Sequence, residues 1–459
     1  MDYITKFIEL GLENVESGYS YDDIGASKLF LDIHAEQICY VIEAKTWYVY
    51  DGQRWSKDNG GFAVMEMCKK FVQDYRLYLS KHRFFDEDCL KYIKNIYTRK
   101  SRETILNDAK SVNPLSLKNF DNDKQLFNCS NGTFNLSTMM FQPHNPSDYI
   151  TKISRATYEA KISCERWERF ITEIMCGDYE TAQFLQKAFG YCLSGETSLE
   201  CFFILYGSTT RNGKSTACET IAHILHEYAR TAQPETIAKR STNGSAPSPD
   251  IARLKGARYV GTPEPSKGLE LNASIIKQLT GGDTYTGRFL HENPVEFTPD
   301  FKIFINTNYL PQTNDDTIFS SGRVKLIPFD RHFEPNEQDT GLKKLFCQEN
   351  SISGILNWLI EGYRLLTLEG LAVPPRVEQA IANYRVDSDV TGDFLHEILV
   401  ESDGKRLQTS AIYKKYSAWS KENGYRPLNC KYFMNELRRR YDIRRDGSRG
   451  NEVLGVDFA

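Results

Sequence analysis

The chain has 459 residues, is 40% hydrophobic and 26% charged, and carries a formal net charge of −4. That excludes a disordered chain, a collagen and a small disulfide scaffold, and suggests about three domains at ~150 residues each. A chain that is acidic overall needs a local basic patch to hold nucleic acid. No stretch approaches ~18 uncharged apolar residues, so no membrane span is expected. The first twenty residues lack the apolar core of a signal peptide. The eleven cysteines form no C-x-x-C pair and read as reduced thiols of a cytoplasmic protein, with no metal site apart from one that comes with a nucleotide.

In chain order, residues 1–60 predict a helix and then a hairpin. Ile38 to Tyr50 is rich in β-branched and aromatic residues, Asp51-Gly52 is a turn signal, and Trp55 lies on the return strand. Packing is the expected role of Trp47 and Trp55, ahead of base stacking. Residues 61–195 predict a largely helical domain. Its first helical run ends near Lys81 and a second runs from Cys89 to Lys110. A strand-rich patch with Asn131-Gly132 at its turn follows, and then two more helices.

Cys201 to Tyr206 is a short, nearly continuous apolar run, which suits a strand buried on both faces. Gly207, Ser208, Thr209, Thr210, Arg211, Asn212, Gly213, Lys214, Ser215 and Thr216 come next, and then a helical pattern. Strand, glycine loop, G-K-S and helix is the context of a phosphate-binding loop. Loop and helix N–H groups point at phosphates, Lys214 adds charge, and the Ser215 hydroxyl can ligate Mg²⁺. Five residues separate Gly207 from Gly213 where four are usual. Either Ser208 takes the first glycine's place or the loop bulges by one.

Downstream, Ala257 to Glu264 predicts a strand ending in a carboxylate suited to the metal shell and the attacking water. Phe301 to Asn308 predicts another, with Asn308 placed to orient water near the γ-phosphate. Arg323, just before the apolar run Val324 to Phe329, is placed to reach a neighbouring subunit's nucleotide. Residues 341–385 read as helical, broken at Pro374-Pro375, and SDVTGD reads as a linker. From Lys405 to Gly450 there are thirteen Lys+Arg against four Asp+Glu, a local +9 that leaves the remainder near −13. Thr409-Ser410 is the expected N-cap of a helix bearing Ile412, Tyr416 and Trp419. Asn429 is the cap of a second, with Phe433 and Leu437 inward and Lys431, Asn435, Arg438 and Arg439 outward. Two short strands carrying Arg444 and Arg445 complete a winged-helix pattern for DNA. A winged helix used for protein contact is the rival reading.

The ordered set YGSTTRNGKST, RLKGARYVGTPEP, IKQLTGGDTYTGRFL, FKIFINTNYLP and SGRVKLIPF resembles the superfamily 3 helicases, in particular the poxvirus- and phage/plasmid-type primase-helicases. The resemblance covers most of residues 30 to 459. It implies an α/β fold with an AAA+ P-loop ATPase core (196–385), a preceding mixed helical domain (61–195) and a C-terminal winged helix (390–459). It further implies ATP, Mg²⁺, a homo-hexameric ring and 3′ to 5′ movement on single-stranded DNA. Lys214, Ser215, Glu264 and Asn308 would come from one subunit and Arg323 from the next. The third motif would end in a channel-lining hairpin, with strands at Thr286–Leu290 and Val295–Thr298. Arg288, His291 and, more weakly, Lys277 would contact phosphates. No primase domain is expected in this chain, so a separately encoded primase would supply primers. The resulting expectation is a replicative helicase of a phage, plasmid or other mobile element in a bacterial host. The alternatives are an origin-binding initiator or loader ATPase and, from another class, a small-molecule P-loop kinase.

Overall fold

The computed structural model describes residues 2–12, 18–81, 87–239, 249–287, 295–313, 315–425, 427–446 and 450–459. Its centre is a five-stranded, all-parallel sheet. Across the sheet the strands run Val324–Pro328, Phe202–Tyr206, Lys302–Thr307, Tyr259–Thr262 and Ala229–Thr231. Counted in chain order this is 5-1-4-3-2. The apolar runs are continuous because both faces are covered. Phe203, Leu205, Phe304 and Ile327 face one apolar cluster, which reaches from Phe127 to Val377. Phe202, Ile204, Ile303, Ile305, Val324 and Leu326 face a second on the opposite side. The period-2 alternation of a strand thus sorts a uniformly apolar sequence into two cores.

The first cluster also takes in the helices Glu165–Ile174 and Tyr179–Gly190 and the long helix Glu349–Glu369. The helices that precede the sheet therefore share its core. Two buried cations reinforce the join from the opening edge of the sheet. Arg258 donates to the Leu193 carbonyl and, at 2.8 Å, to that of Leu126, under the Tyr228 ring. Lys302 donates to the Ser194 carbonyl at 2.5 Å and sits 4.2 Å from the Tyr191 ring centre. Burial pulls the Lys302 ammonium down to about 7.

At the N-terminal end, Ile38 to Tyr50 is two strands rather than one. Ile38–Val41 and Thr46–Tyr50 pair antiparallel, and Trp55–Lys57 completes a meander. The break falls at Lys45, whose φ is +49°, a turn made without glycine. Trp47 and Trp55 are buried, in keeping with a packing role. One apolar cluster joins Tyr3 to Ala109 across residue 60. The second helical run is divided into Glu87–Asn95 and Arg99–Ala109, because Thr98 accepts from the Ser101 N–H and starts a new helix. In the strand patch, Cys129 pairs with Gly132, so the turn is Ser130-Asn131, one residue earlier than expected.

At the C-terminal end SDVTGD is not a linker. Asp389 caps the helix Val390–Ile398, accepting from the Gly392 N–H at 2.9 Å. The long strand Leu399–Gln408 follows, and it pairs with Gly450–Phe458, which also pairs with Ile443–Asp446. Thr409-Ser410 does not cap the next helix. Thr409 is its first residue, and Gln408 precedes it without a side-chain cap. Asn429 does cap Cys430–Arg440, at 3.1 Å from the Tyr432 N–H. Ile412, Tyr416, Phe433 and Leu437 are fully buried together, with the Tyr416 and Phe433 rings stacked at 4.3 Å. Among the described residues no helix is long and apolar enough to cross a membrane.

Candidate functional site

The site lies at the carboxyl ends of three adjacent sheet strands, where an open parallel sheet presents its ligand crevice. Phe202–Tyr206 runs into the glycine loop, and the loop runs into the helix Lys214–Leu225. Gly207 is buried, and a Cβ there would come within 2.4 Å of Asn212 Nδ2 and 2.6 Å of the Phe329 carbonyl oxygen. Gly213 has φ +84°, and a Cβ on it would meet the Ile174 side chain at 2.4 Å. Both glycines are required by space or conformation. Gly207 therefore holds the first glycine's place. The extra residue is absorbed by a bulge in which Arg211 takes φ +58° and Asn212 donates back to the Thr209 carbonyl at 2.6 Å.

No side chain caps the helix that begins at Lys214, and its first turn contains no acid. Its first N–H groups and its dipole face the loop, a ready site for an anion. Lys214 does not project into solvent from the loop. It is 3% exposed and folded under the loop. Its Nζ donates to Asn308 Oδ1 at 2.8 Å and to the Gly207 carbonyl at 3.3 Å. Burial pulls its ammonium down to about 8, against the opposing pull of Glu264.

Glu264, just past the strand Tyr259–Thr262, accepts from the Asn308 N–H at 3.2 Å. Asn306, two residues before Asn308 and so on the same face of its strand, donates to Ser215 Oγ at 3.3 Å. Sequence reasoning missed Asn306, although the i, i+2 spacing in KIFINTN signals it. These five side chains line a cleft of about 550 Å³ together with Thr210, Arg211 and Asn212. Thr216 follows Ser215 on the same helix, half-buried, and Ser208 and Thr209 are exposed on the outside of the loop. Residues 329–338, a connection that sequence reasoning did not single out, bracket the loop. Phe333 N donates to the Arg211 carbonyl, His332 Nδ1 lies 2.8 Å from the Thr210 carbonyl, and Arg211 reaches Gln338.

The glycine cradle, uncapped helix and buried ammonium suit a phosphate chain. The Ser215 hydroxyl and the Glu264 carboxylate are hard oxygen donors of the kind Mg²⁺ takes. Among the described residues no group of three or more His, Cys, Asp or Glu could hold a metal unaided.

Arg323 is not part of this cleft. Val324 is in register with Phe202 and Pro328 with Tyr206, so Arg323 lies at the opposite edge of the sheet from the loop. That is roughly 20 Å away at ~3.3 Å per strand residue. There it pairs with Glu200 at 2.5 Å and donates to Thr280 Oγ1 at 2.8 Å.

Of the expected DNA contacts, Lys277 is ion-paired with Asp315 at 2.8 Å. Arg288 and His291 lie outside the described residues. The bases of their hairpin are present, with Tyr285–Gly287 paired antiparallel to Val295–Phe297. In the C-terminal unit Lys431, Asn435, Arg438, Arg439, Arg444 and Arg445 are all exposed. Arg439 and the neighbouring Arg440 are both paired with Glu436, and Arg440 also with Asp389.

Residues 27–176 match the family described as D5 N terminal like, and residues 386–442 match the family described as Poxvirus D5 protein-like. A protein of Acanthamoeba polyphaga mimivirus named "Putative helicase L207/L206" is 27% identical over 424 residues, covering 84% of this chain and 44% of that protein. "Putative helicase 121R" of Invertebrate iridescent virus 3 is 22% identical, over 70% of this chain and 38% of its own length. "Putative helicase V13" of Sputnik virophage is 21% identical, over 71% and 43%. The chain thus spans less than half the length of these curated relatives. The relatives give no support to the bacterial host expected from the sequence. The fold is similar to the apo structure of the NrS-1 C-terminal region, with a TM-score of 0.50, 10% identity, and coverage of 95% of this chain and 100% of that one.

Proposed function

From the matches of residues 27–176 and 386–442 to the poxvirus D5-type families and of most of the chain to viral proteins named helicases, we propose that it is the ATP-hydrolysing, DNA-unwinding part of a replicative helicase from a DNA virus or related mobile element. One observation carries the reading. Lys214, Ser215, Glu264, Asn306 and Asn308 converge on a glycine-loop cleft at the ends of three neighbouring strands. The 5-1-4-3-2 order, with the loop on the strand next to the central one, is the arrangement we assign to an AAA+ core.

ATP with Mg²⁺ supplies the phosphoanhydride bond and a Lewis acid. Lys214 neutralises phosphate charge, exchanging its present bonds to Asn308 and Gly207 for phosphate oxygens. Ser215 offers its hydroxyl oxygen to the metal, and Asn306 fixes that hydroxyl's orientation. Glu264 draws a proton from the attacking water, while the Asn308 amide, released by Lys214, holds that water in line. Arg323, on the far edge of its own sheet, serves the neighbouring subunit's nucleotide in a ring. The hairpin founded on Tyr285–Gly287 and Val295–Phe297 faces the channel and follows one DNA strand 3′ to 5′, with priming supplied by other sequence. The C-terminal unit is read as a winged helix with the Lys431–Arg439 face toward duplex.

The test is ATP hydrolysis by the purified chain, with and without single-stranded DNA, alongside its solution mass. DNA-stimulated hydrolysis by a ring-sized particle is expected. The exposed basic face of the C-terminal unit favours one second reading, an initiator or loader ATPase. DNA-indifferent hydrolysis by a monomer or dimer, with duplex binding through residues 390–459, would select it.

A further inference from the structure

Away from the nucleotide cleft, the N-terminal unit has an open groove of about 680 Å³ between its meander and the helix Arg99–Ala109. Lys45, Lys100 and Lys110 line it, and Glu103 is the one acid among its lining residues. Glu103 is already paired with Arg99 at 2.7 Å. The neighbouring carboxylate of Asp58 is also engaged. It accepts from the Ala63 and Val64 N–H groups at 3.2 and 3.0 Å, and so caps the helix Phe62–Lys81. The surrounding sequence is near neutral, with 18 Lys+Arg against 20 Asp+Glu over residues 1–125. The positive charge is therefore a property of this groove and not of the unit.

Aromatic surface accompanies the charge. Lys110 lies over the Tyr40 ring at 5.6 Å, and Tyr40 and Trp47 form part of the wall. Gly60 and Gly61 close one side. Gly60 has φ +83°, and a Cβ on it would strike the Phe62 ring at 2.6 Å, so the glycine allows that ring to lie against the rim. Phe62 is 75% exposed. A lone exposed phenylalanine is ordinary. One set against the Gly60 rim of a groove that carries three lysines and a half-buried tyrosine supplies the two elements of single-strand recognition, a cationic track for the backbone and a ring face for a base.

We propose that this groove is a second nucleic-acid site, one that holds a short single-stranded segment through Lys45, Lys100 and Lys110, with a base stacked on Phe62. The choice of a polynucleotide as occupant rests on the helicase reading, while the groove's geometry and charge do not. A duplex keeps its bases stacked inside and gives Phe62 nothing to meet. The site is distinct from the channel hairpin and would grip the strand outside the ring's centre.

The test is the fluorescence anisotropy of a labelled oligothymidylate with the full chain, without nucleotide, from about 50 to about 200 mM salt. Replacing Lys45, Lys100 and Lys110 together by Ala should lower the slope of log affinity against log salt by about 2, at ~0.7 per lost phosphate contact. Phe62→Ala should weaken binding about tenfold and leave the slope unchanged. Lys45→Gln with Lys100→Gln, both at exposed positions, guards against misfolding and should produce about two-thirds of that slope change. Unaltered affinity and slope in all three variants would overturn the proposal. So would equal competition by polyglutamate, or an oligothymidylate that does not bind. DNA-stimulated hydrolysis with unaltered binding by the variants would remove the groove and leave the helicase reading. Groove-dependent binding without any DNA effect on hydrolysis would do the reverse.

Discussion

Lys214 gives the nucleotide cleft a measurable proton signature. Its ammonium is held down to about 8 because it is folded under the loop. A phosphate chain placed beside it favours the charged form and returns its pKa to the ordinary ~10.4 or above. With a free pKa near 8, the amine is ~90% protonated at pH 7 and ~10% at pH 9. Nucleotide binding at pH 9 then takes up nearly one proton, and affinity should fall about tenfold from pH 7 to pH 9. Titration with a non-hydrolysable ATP analogue in two buffers of different ionisation enthalpy reads both the affinity and the proton uptake. Lys214→Met should bind weakly and lose the pH dependence. A flat wild-type affinity, or the same slope in Lys214→Met, would refute the reasoning that ties this lysine's burial to phosphate recognition.

Glu264→Gln should keep nucleotide affinity and lose at least ~100-fold in hydrolysis, read by analogue binding and steady-state turnover; substantial remaining turnover would take the proton-acceptor role from Glu264. Arg323→Ala should bind nucleotide but not turn it over. Mixing it with Lys214→Ala subunits should restore part of the activity, and failure at every mixing ratio would remove the assignment across subunits. Lys302, down at about 7 in the fold and ~10.4 when unfolded, binds more protons in the unfolded chain between these values. Wild-type stability should accordingly rise with pH from about 7 toward 10 relative to Lys302→Met. Urea midpoints that run parallel for the two proteins would show that the folded chain keeps this lysine charged.

The parts of the site that were legible in the sequence are those made by neighbours in the chain. A five-residue apolar strand, two glycines and a helix start specify the loop locally, although the walls that exclude a Cβ at those glycines include the remote Phe329 and Ile174. The burial of Lys214 was not legible, because the loop is held from outside by Phe329, His332 and Phe333, more than a hundred residues downstream. Asn306 was legible in principle and overlooked. It sits two residues before Asn308, which lies just past the strand Lys302–Thr307, so the strand's alternation points to both. At Lys45 a left-handed turn without glycine left no local mark. The polar stretch Glu401 to Lys405 hides a strand whose partner, Gly450–Phe458, lies about fifty residues away. SDVTGD did carry a readable helix start in Asp389, which composition alone disguised as a linker.

The buried attachment of Arg258 and Lys302 to the carbonyls of Leu126, Leu193 and Ser194 bears on where motion would leave the fold under the proposed ATP-driven role. A sheet bolted at its opening edge to the helices before it, over one uninterrupted apolar core, has no slack on that side. Under that role, displacement begun by phosphate charge at Lys214 would be transmitted rather than absorbed. Its outlet would be the short two-stranded pairing of Tyr285–Gly287 with Val295–Phe297. In that role the preceding helices would serve as the fixed frame of the ATPase core.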